Sequence, residues 1–159
     1  AAKLGLSIHE AVNKLQPAGA IYFMLDEQDV RRILAFCETM IGSDGLPHDA
    51  VPHPRLWGTF PRVLGRDCRE EKLFSLETAV YKMTGLPAKK FGLKNRGVLS
   101  VGAHADITLF DAASVIDAAD FTHPTRPARG IHTVVVNGEL VWCNGAATGE
   151  RPGQLLART

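Results

Sequence analysis

The residues best suited to chemistry lie in one stretch, TMIGSDGLPHDAVPHPRLWGTF, which runs from Thr39 to Phe60. A short apolar run reaches Asp44 and then gives way to glycine, proline and histidine. In parallel α/β folds the active site lies at the carboxyl ends of the strands, so an acid that ends a buried strand is well placed for catalysis. A carboxylate there can accept and donate a proton. An aspartate before glycine is also a common turn residue, and position alone leaves both interpretations open.

Residues near this aspartate could bind ligands. Arg55 can bind a substrate carboxylate through two parallel hydrogen bonds, although a surface salt bridge is equally compatible with its position. His48 and His53 have a His-x₄-His spacing that suggests metal ligation. Because prolines lie in and beside this spacing and no helix sets its geometry, a pocket-lining or polar loop role is favoured. Met24 and Leu25 could touch an acyl chain, with core packing as the competing interpretation.

The elements that would position these residues read as strand, helix, strand. The apolar run AIYFML, residues 20–25, predicts a strand buried on both faces, and Asp26 predicts the cap of a following helix. The run TMIGS, residues 39–43, predicts a second buried strand that ends at Asp44. This order is typical of a βαβ unit in a parallel sheet or barrel. The long loop predicted from Gly45 to Pro61 is of a length that is often functional.

Capping signals predict where two helices begin. Ser7 and Glu10 have the spacing of a capping box and predict a helix from Ile8 to about Leu15. Ser75 predicts the start of a further helix that ends before the Gly-Leu-Pro sequence at residues 85–87.

The sequence changes near residue 96 from helical patterns to short β-rich runs. This change predicts two domains, an α/β part at 1–95 and a small β domain at 96–159. Two β-rich runs flank Asn137-Gly138, which is a strong signal for a type I′ hairpin turn. We expect a β-sandwich-like arrangement of the segments around Val98, Ile107, Val134 and Val141.

Composition is typical of a soluble globular domain. The 159 residues are 45% hydrophobic and 22% charged, with a net charge of +1. We therefore expect no nucleic-acid partner, and no apolar run approaches the roughly 20 residues of a membrane span. The N-terminus lacks the apolar region of a secretory signal. Three widely spaced cysteines favour reduced thiols and a cytoplasmic location.

Longer motifs resemble a known family. The blocks GSDGLPHD, HPRLWGTFPRVLG and SLETAVYKMTGLPAKKFGL resemble the N-acyl-D-amino-acid deacylases (D-aminoacylases) of the amidohydrolase superfamily. The runs GVLSVGAHADITLFD and VVVNGELVWCNG resemble the C-terminal β-domain signature of that superfamily. The resemblance extends from about Leu15 to Leu156 and corresponds to the C-terminal portion of such an enzyme.

The resemblance implies a fold, a reaction and a role for Asp44. Amidohydrolases have a (β/α)₈ barrel with the active site at its top, and the last barrel strand ends in an aspartate that contacts the metal and moves protons. Asp44 matches that aspartate. A water held by Zn²⁺ has a pKa lowered to about 7, so a neighbouring carboxylate can take its proton and pass it to the leaving amine. The implied substrates are N-acyl-D-amino acids, cleaved to a carboxylate and a D-amino acid.

The chain lacks much of what this reaction needs. The family's other ligands, which include an H-x-H pair and two later histidines, have no match here, and such a barrel needs about 250 residues. We expect a fragment that holds the last strand-helix units of the barrel and is inactive alone. The remaining Zn²⁺ ligands and the missing N-terminal barrel portion would lie outside this chain. The alternatives are another amidohydrolase, such as a dihydropyrimidinase-like enzyme, and a non-catalytic module that completes a partner.

Overall fold

Helices form the first part of the chain and an antiparallel sheet the second. The computed structural model describes residues 1–17, 19, 21–46 and 48–156. The helical elements are a 3₁₀ turn at Ala2–Leu4, α1 at Ile8–Leu15, α2 at Glu27–Ala35, α3 at Arg55–Arg62, a π-helix at Val63–Glu70, α4 at Leu76–Met83 and α5 at Gly85–Phe91. The strands are β1 at Ile107–Phe110, β2 at Ile131–Val136, β3 at Glu139–Cys143 and β4 at Ala146–Ala147. In the described ranges no helix is long and apolar enough to cross a bilayer.

The predicted helix starts are confirmed. The Ser7 hydroxyl accepts from the Glu10 backbone N–H at 3.3 Å, and the Glu10 carboxylate accepts from the Ser7 N–H at 2.9 Å, which completes the capping box of α1. The Asp26 carboxylate accepts from two backbone N–H groups in the first turn of α2. Ser75 caps α4 by accepting from the Thr78 N–H at 3.3 Å. Each of these signals acts within one helical turn, so it does not depend on distant neighbours.

The two predicted buried strands are wrong for this chain. Residues 21–25 and 39–43 are irregular, and residue 20 lies outside the described residues. A strand requires a neighbour that accepts and donates its backbone hydrogen bonds. The sheet that the structure describes is formed by β1 to β4 and includes neither segment. The apolar run from Tyr22 to Leu25 is consequently left 76–83% exposed.

The predicted loop from Gly45 to Pro61 is also partly wrong, because α3 begins at Arg55. Gly58 and Pro61 are weak helix formers and make this segment resemble a loop. Pro61 lies inside α3 and lacks the N–H that an α-helix would use there. The backbone changes to π-helical geometry at Val63, a local change of hydrogen-bonding pattern that often marks functional sites.

The β part forms one antiparallel sheet in the order β1-β2-β3-β4. The predicted hairpin turn is confirmed, since Asn137 and Gly138 have φ values of 48° and 86° between β2 and β3. The predicted sandwich is wrong for residues 96–156, because these described residues form a single sheet and Val98 lies outside its strands.

Helices and sheet share one hydrophobic core. Its buried members are Ile41, Val63, Leu64, Cys68, Ala79 and Val115. A Cβ at Gly65 would lie 2.5 Å from the Val115 carbonyl oxygen, so a glycine is needed where the π-helix meets the β part. Arg69 Nη1 donates to the same carbonyl at 2.7 Å. The domain division at residue 95 stays a prediction, and the two proposed parts pack directly against each other.

A buried lysine anchors the segment that leads to Asp44. Lys82 is 1% exposed, and its Nζ donates to the carbonyl oxygens of Phe36 and of Thr39, the latter at 3.1 Å. The ammonium lies 5.9 Å from the centroid of the Phe74 ring. Burial lowers the pKa of Lys82. These contacts satisfy carbonyl groups after the end of α2 and fix where the irregular segment begins.

A buried acid lies in the π-helix. Asp67 is 8% exposed and lines a groove of about 390 Å³ between α2 and the π-helix. Burial raises the pKa of Asp67 to about 6, and the carboxylate of Glu71 adds to the rise. Glu71 itself is held by Arg31 and Arg66, each with an N···O distance of 2.8 Å. Ionising Asp67 therefore costs more free energy in the folded chain than in the unfolded chain.

The chain exposes far more surface than its mass requires. Its accessible surface is 11474 Å². A compact monomer of 17.2 kDa is expected to expose about 7,800 Å². The exposed side chains include many large apolar ones, among them Tyr22, Phe23, Met24 and Leu25, and apolar exposure of this kind is characteristic of an interaction surface.

Replacing Gly138 by valine should lower the free energy of unfolding by about 1–2 kcal/mol, because the residue has a φ of 86° that L side chains rarely adopt. No atom lies within 4 Å of the position that a Cβ would take, so the effect comes from the backbone alone. Thermal unfolding should show a decrease of about 2–8 °C. Gly153→Val is the matched control, since Gly153 has open space and no left-handed φ. An unchanged melting temperature for Gly138→Val would contradict the turn assignment.

Replacing Asp67 by asparagine should stabilise the chain in a pH-dependent way. The folded-state pKa of about 6 lies above the usual 3.8, so ionised Asp67 destabilises the fold as the pH rises through this interval and remains destabilising above it. The difference between these two pKa values corresponds to about 3 kcal/mol at most. We therefore expect Asp67→Asn to raise the free energy of unfolding by about 1–3 kcal/mol at pH 7–8, and we expect this gain to disappear near pH 4. Urea unfolding across this pH range measures it, with exposed Glu139→Gln as the control. A gain independent of pH would contradict the assignment.

Candidate functional site

Asp44 and Arg55 are in direct contact. Arg55 Nη2 donates to the carboxylate of Asp44, and Arg55 Nε donates to the backbone carbonyl oxygen of the same residue at 3.1 Å. The side chains are 73% exposed for Asp44 and 49% for Arg55. An ion pair in such a position contributes roughly 0–1 kcal/mol to stability. The contact joins the irregular segment after α2 to the first residue of α3.

His53 lies beside this pair and is held in a defined orientation. Its Nδ1 accepts from the Arg55 backbone N–H at 3.0 Å, and its ring packs against Phe121 with centroids 5.3 Å apart. Burial lowers the pKa of His53, and the guanidinium of Arg55 lowers it further. The imidazole is therefore favoured in its neutral form, and the hydrogen bond already uses the Nδ1 lone pair that a metal would require.

An aromatic groove of about 430 Å³ adjoins Arg55. Phe23 and Phe121 meet edge to face at 5.4 Å and line it together with His53 and Asp117. Phe121 and Asp117 come from the connection between β1 and β2, so both parts of the chain form this groove. Sequence reasoning missed both residues, because no local pattern joins them to a histidine more than 60 positions earlier.

The remaining predicted site residues are exposed, and none of them lines the aromatic groove. Met24 and Leu25 are exposed and do not line the aromatic groove. His48 is exposed, and in the described residues no hydrogen bond or ion pair joins it to Asp44. Their roles in binding substrate stay predictions.

The metal-binding capacity of this region is incomplete. Within the described ranges no three histidine, cysteine, aspartate or glutamate side chains are arranged to hold a metal ion. The carboxylate of Asp44 is an exposed oxygen donor of the kind that Zn²⁺ accepts. The described residues therefore do not form a metal centre by themselves, and Asp44 is the one predicted ligand among them.

Comparison with known proteins identifies the family. The model of the amidohydrolase family matches residues 15–142, and the chain belongs to this family. Its sequence is 63% identical over 159 residues to a D-aminoacylase from Alcaligenes xylosoxydans xylosoxydans, which covers 100% of this chain and 33% of that protein. The predicted resemblance to D-aminoacylases is confirmed.

Two solved structures extend the comparison. One is a D-aminoacylase described with a binuclear metal center, with a TM-score of 0.86, 63% identity, and coverage of 94% of this chain and 32% of that one. The other is an N-acyl-D-glutamate deacylase from Bordetella bronchiseptica in complex with zinc and a phosphonate inhibitor. It has a TM-score of 0.88 and 52% identity, and the match covers 99% of this chain and 33% of that one. The chain thus spans about a third of the length of the relatives it matches.

Proposed function

We propose that this chain is part of a metal-dependent hydrolase that cleaves the amide bond of N-acyl-D-amino acids to a carboxylate and a D-amino acid. The observation that carries the proposal is the Asp44–Arg55 pair, which puts a proton acceptor beside a carboxylate-binding guanidinium. The identity of 63% to a D-aminoacylase across the whole chain supports the same reaction.

Asp44 is the proposed proton carrier. Hydrolysis adds water to the acyl carbon and breaks the carbon–nitrogen bond, so one proton must leave the water and one must reach the departing nitrogen. A carboxylate can perform both transfers in turn, whereas an amide side chain cannot. The 73% exposure of the Asp44 side chain leaves it accessible to both water and substrate.

Asp44 would also provide one oxygen ligand to the metal, which we propose to be Zn²⁺. When bound, Zn²⁺ supplies Lewis-acid chemistry that polarises the acyl carbonyl and lowers the pKa of water. Zinc in the structure of the N-acyl-D-glutamate deacylase supports this choice of metal. The other ligands would come from the remainder of the protein.

Arg55 is the proposed partner of the substrate's α-carboxylate. A guanidinium binds a carboxylate through paired N–H donors, and here Arg55 already binds the carboxylate of Asp44. We propose that Met24, Leu25 and His48 line the substrate cavity, since all three are exposed. An apolar pair suits an acyl chain or an apolar side chain of the amino acid.

The irregular segments acquire a role in the same proposal. Residues 21–25 and 39–44 would become strands of a (β/α)₈ barrel once the remainder of the protein supplies neighbouring strands. The surface of 11474 Å² and the exposed apolar run from Tyr22 to Leu25 support such a covering partner. Three free thiols, Cys37, Cys68 and Cys143, are in keeping with a cytoplasmic location.

Replacing Asp44 by asparagine in the complete enzyme should lower kcat by about 10²–10⁴, the usual contribution of general acid–base catalysis. The substitution is nearly isosteric and the side chain is exposed, so the fold should be retained. Because the proton transfers occur during the chemical step, kcat should change more than KM. Hydrolysis of N-acetyl-D-amino acids measures both quantities.

Metal content must be measured on the same samples, since Asp44 is also a proposed ligand. Asp49→Asn is the matched control, because Asp49 is an exposed aspartate five positions further along the chain. Near-normal kcat with normal metal content in Asp44→Asn would show that Asp44 is only a turn residue.

The 159-residue chain assayed alone should show no deacylase activity, because the described residues provide no set of three metal ligands. The purified chain with N-acetyl-D-amino acids and added Zn²⁺ tests this expectation, with free Zn²⁺ as the blank. Turnover well above the blank would mean that the chain carries a complete site.

A further inference from the structure

The contact between Asp44 and Arg55 places a carboxylate on the guanidinium that we assign to the substrate. Arg55 reaches both the side chain and the backbone carbonyl of Asp44. The guanidinium has two edges that can each bind a carboxylate through paired N–H donors, and Asp44 uses both donors of the Nε–Nη2 edge. A substrate carboxylate that binds this Nε–Nη2 edge would therefore compete with Asp44 for Arg55.

The environment of the pair would allow Arg55 to exchange the carboxylate of Asp44 for that of a substrate. Both side chains are substantially exposed, at 73% for Asp44 and 49% for Arg55, and an ion pair in water is weak. The backbone of Arg55 is fixed separately, by its place at the start of α3 and by the hydrogen bond from its N–H to His53 Nδ1 at 3.0 Å. The guanidinium can consequently change partner while its backbone stays in place.

We propose that Asp44 occupies the carboxylate site of Arg55 in the substrate-free enzyme, and that the substrate's α-carboxylate displaces it and frees Asp44 for proton transfer. This inference rests on the proposed function. It gives the substrate's carboxylate two effects, since the group contributes to binding and also releases the general base. A substrate without that carboxylate leaves Asp44 held by Arg55.

The test compares N-acetyl-D-leucine with its C-terminal amide, N-acetyl-D-leucinamide, in the complete zinc enzyme. Replacing Arg55 by glutamine should raise KM for the acid, because a binding partner is lost. The same change should raise kcat for the amide by about two- to fivefold, the fold-change that an exposed ion pair is worth. Arg55→Lys retains the charge without the fork, and an intermediate rise is expected. If the glutamine variant does not fold, the lysine variant carries the test.

Arg32→Gln is the matched control, because Arg32 forms an exposed pair with Asp29 at 3.0 Å on α2. It should leave both substrates unaffected. An unchanged kcat for the amide in Arg55→Gln would limit Arg55 to binding, and a decreased kcat would mean that Arg55 holds Asp44 in its productive position. Either result overturns the exchange.

A binding measurement tests the competition independently of turnover. Isothermal titration calorimetry with D-leucine should show about two- to fivefold tighter binding to Asp44→Asn than to the unmodified enzyme, because the competing carboxylate is gone. D-leucinamide should show no such gain. Equal affinities for D-leucine would overturn the exchange. If the unmodified enzyme hydrolyses neither N-acetyl substrate, the proposed function fails and the exchange fails with it.

Discussion

The position of the site depends on the buried ammonium group of Lys82. Its Nζ donates to the carbonyl oxygens of Phe36 and Thr39, and its own carbonyl oxygen accepts from the Ile41 N–H at 3.1 Å. The segment between α2 and Asp44 has no strand beside it in the described sheet. The hydrogen bonds to Lys82 therefore fix its backbone where a neighbouring strand would otherwise do so. A charge buried to this degree is tolerated because backbone carbonyls and an aromatic face replace its hydration shell.

The chemistry-bearing residues come from two places that only the fold brings together. Arg55 begins α3 and binds Asp44 eleven positions earlier, which closes the loop between them. Phe121 reaches the same region from the connection between β1 and β2 and packs against His53. The close approach at Gly65 allows this second contribution, because a larger residue there would separate the β part from the π-helix.

The sequence predicted features that depend on a few neighbouring residues. The capping box at Ser7 and the turn at Asn137-Gly138 need only local hydrogen bonds and local backbone angles, and the structure contains both. The apolar runs at 20–25 and 39–43 have the composition of buried strands, but a strand also requires a neighbour, and composition does not reveal whether one is present. The start of α3 was missed because Gly58 and Pro61 have weak helix propensity that tertiary packing overrides.

The candidate site shows the same difference between features set by neighbouring residues and features that need distant ones. The sequence predicted both Asp44 and Arg55 as site residues, but it did not predict that they contact each other. The groove formed by Phe121 and Asp117 was not predicted at all, since the pairing of distant segments leaves no periodic signal.

The shared core can be completed only late in synthesis, because its members lie far apart in the sequence. Ile41, Val63 and Leu64 are buried in one cluster with Val115, and Ile131 packs against the same cluster. About 90 residues separate Ile41 from Ile131, and at about 5–20 residues per second the ribosome takes roughly 5–18 seconds to add them. During that interval the helical part carries its apolar side chains without their final cover. A nascent chain of this kind is a natural client for the chaperones that bind exposed apolar segments during synthesis.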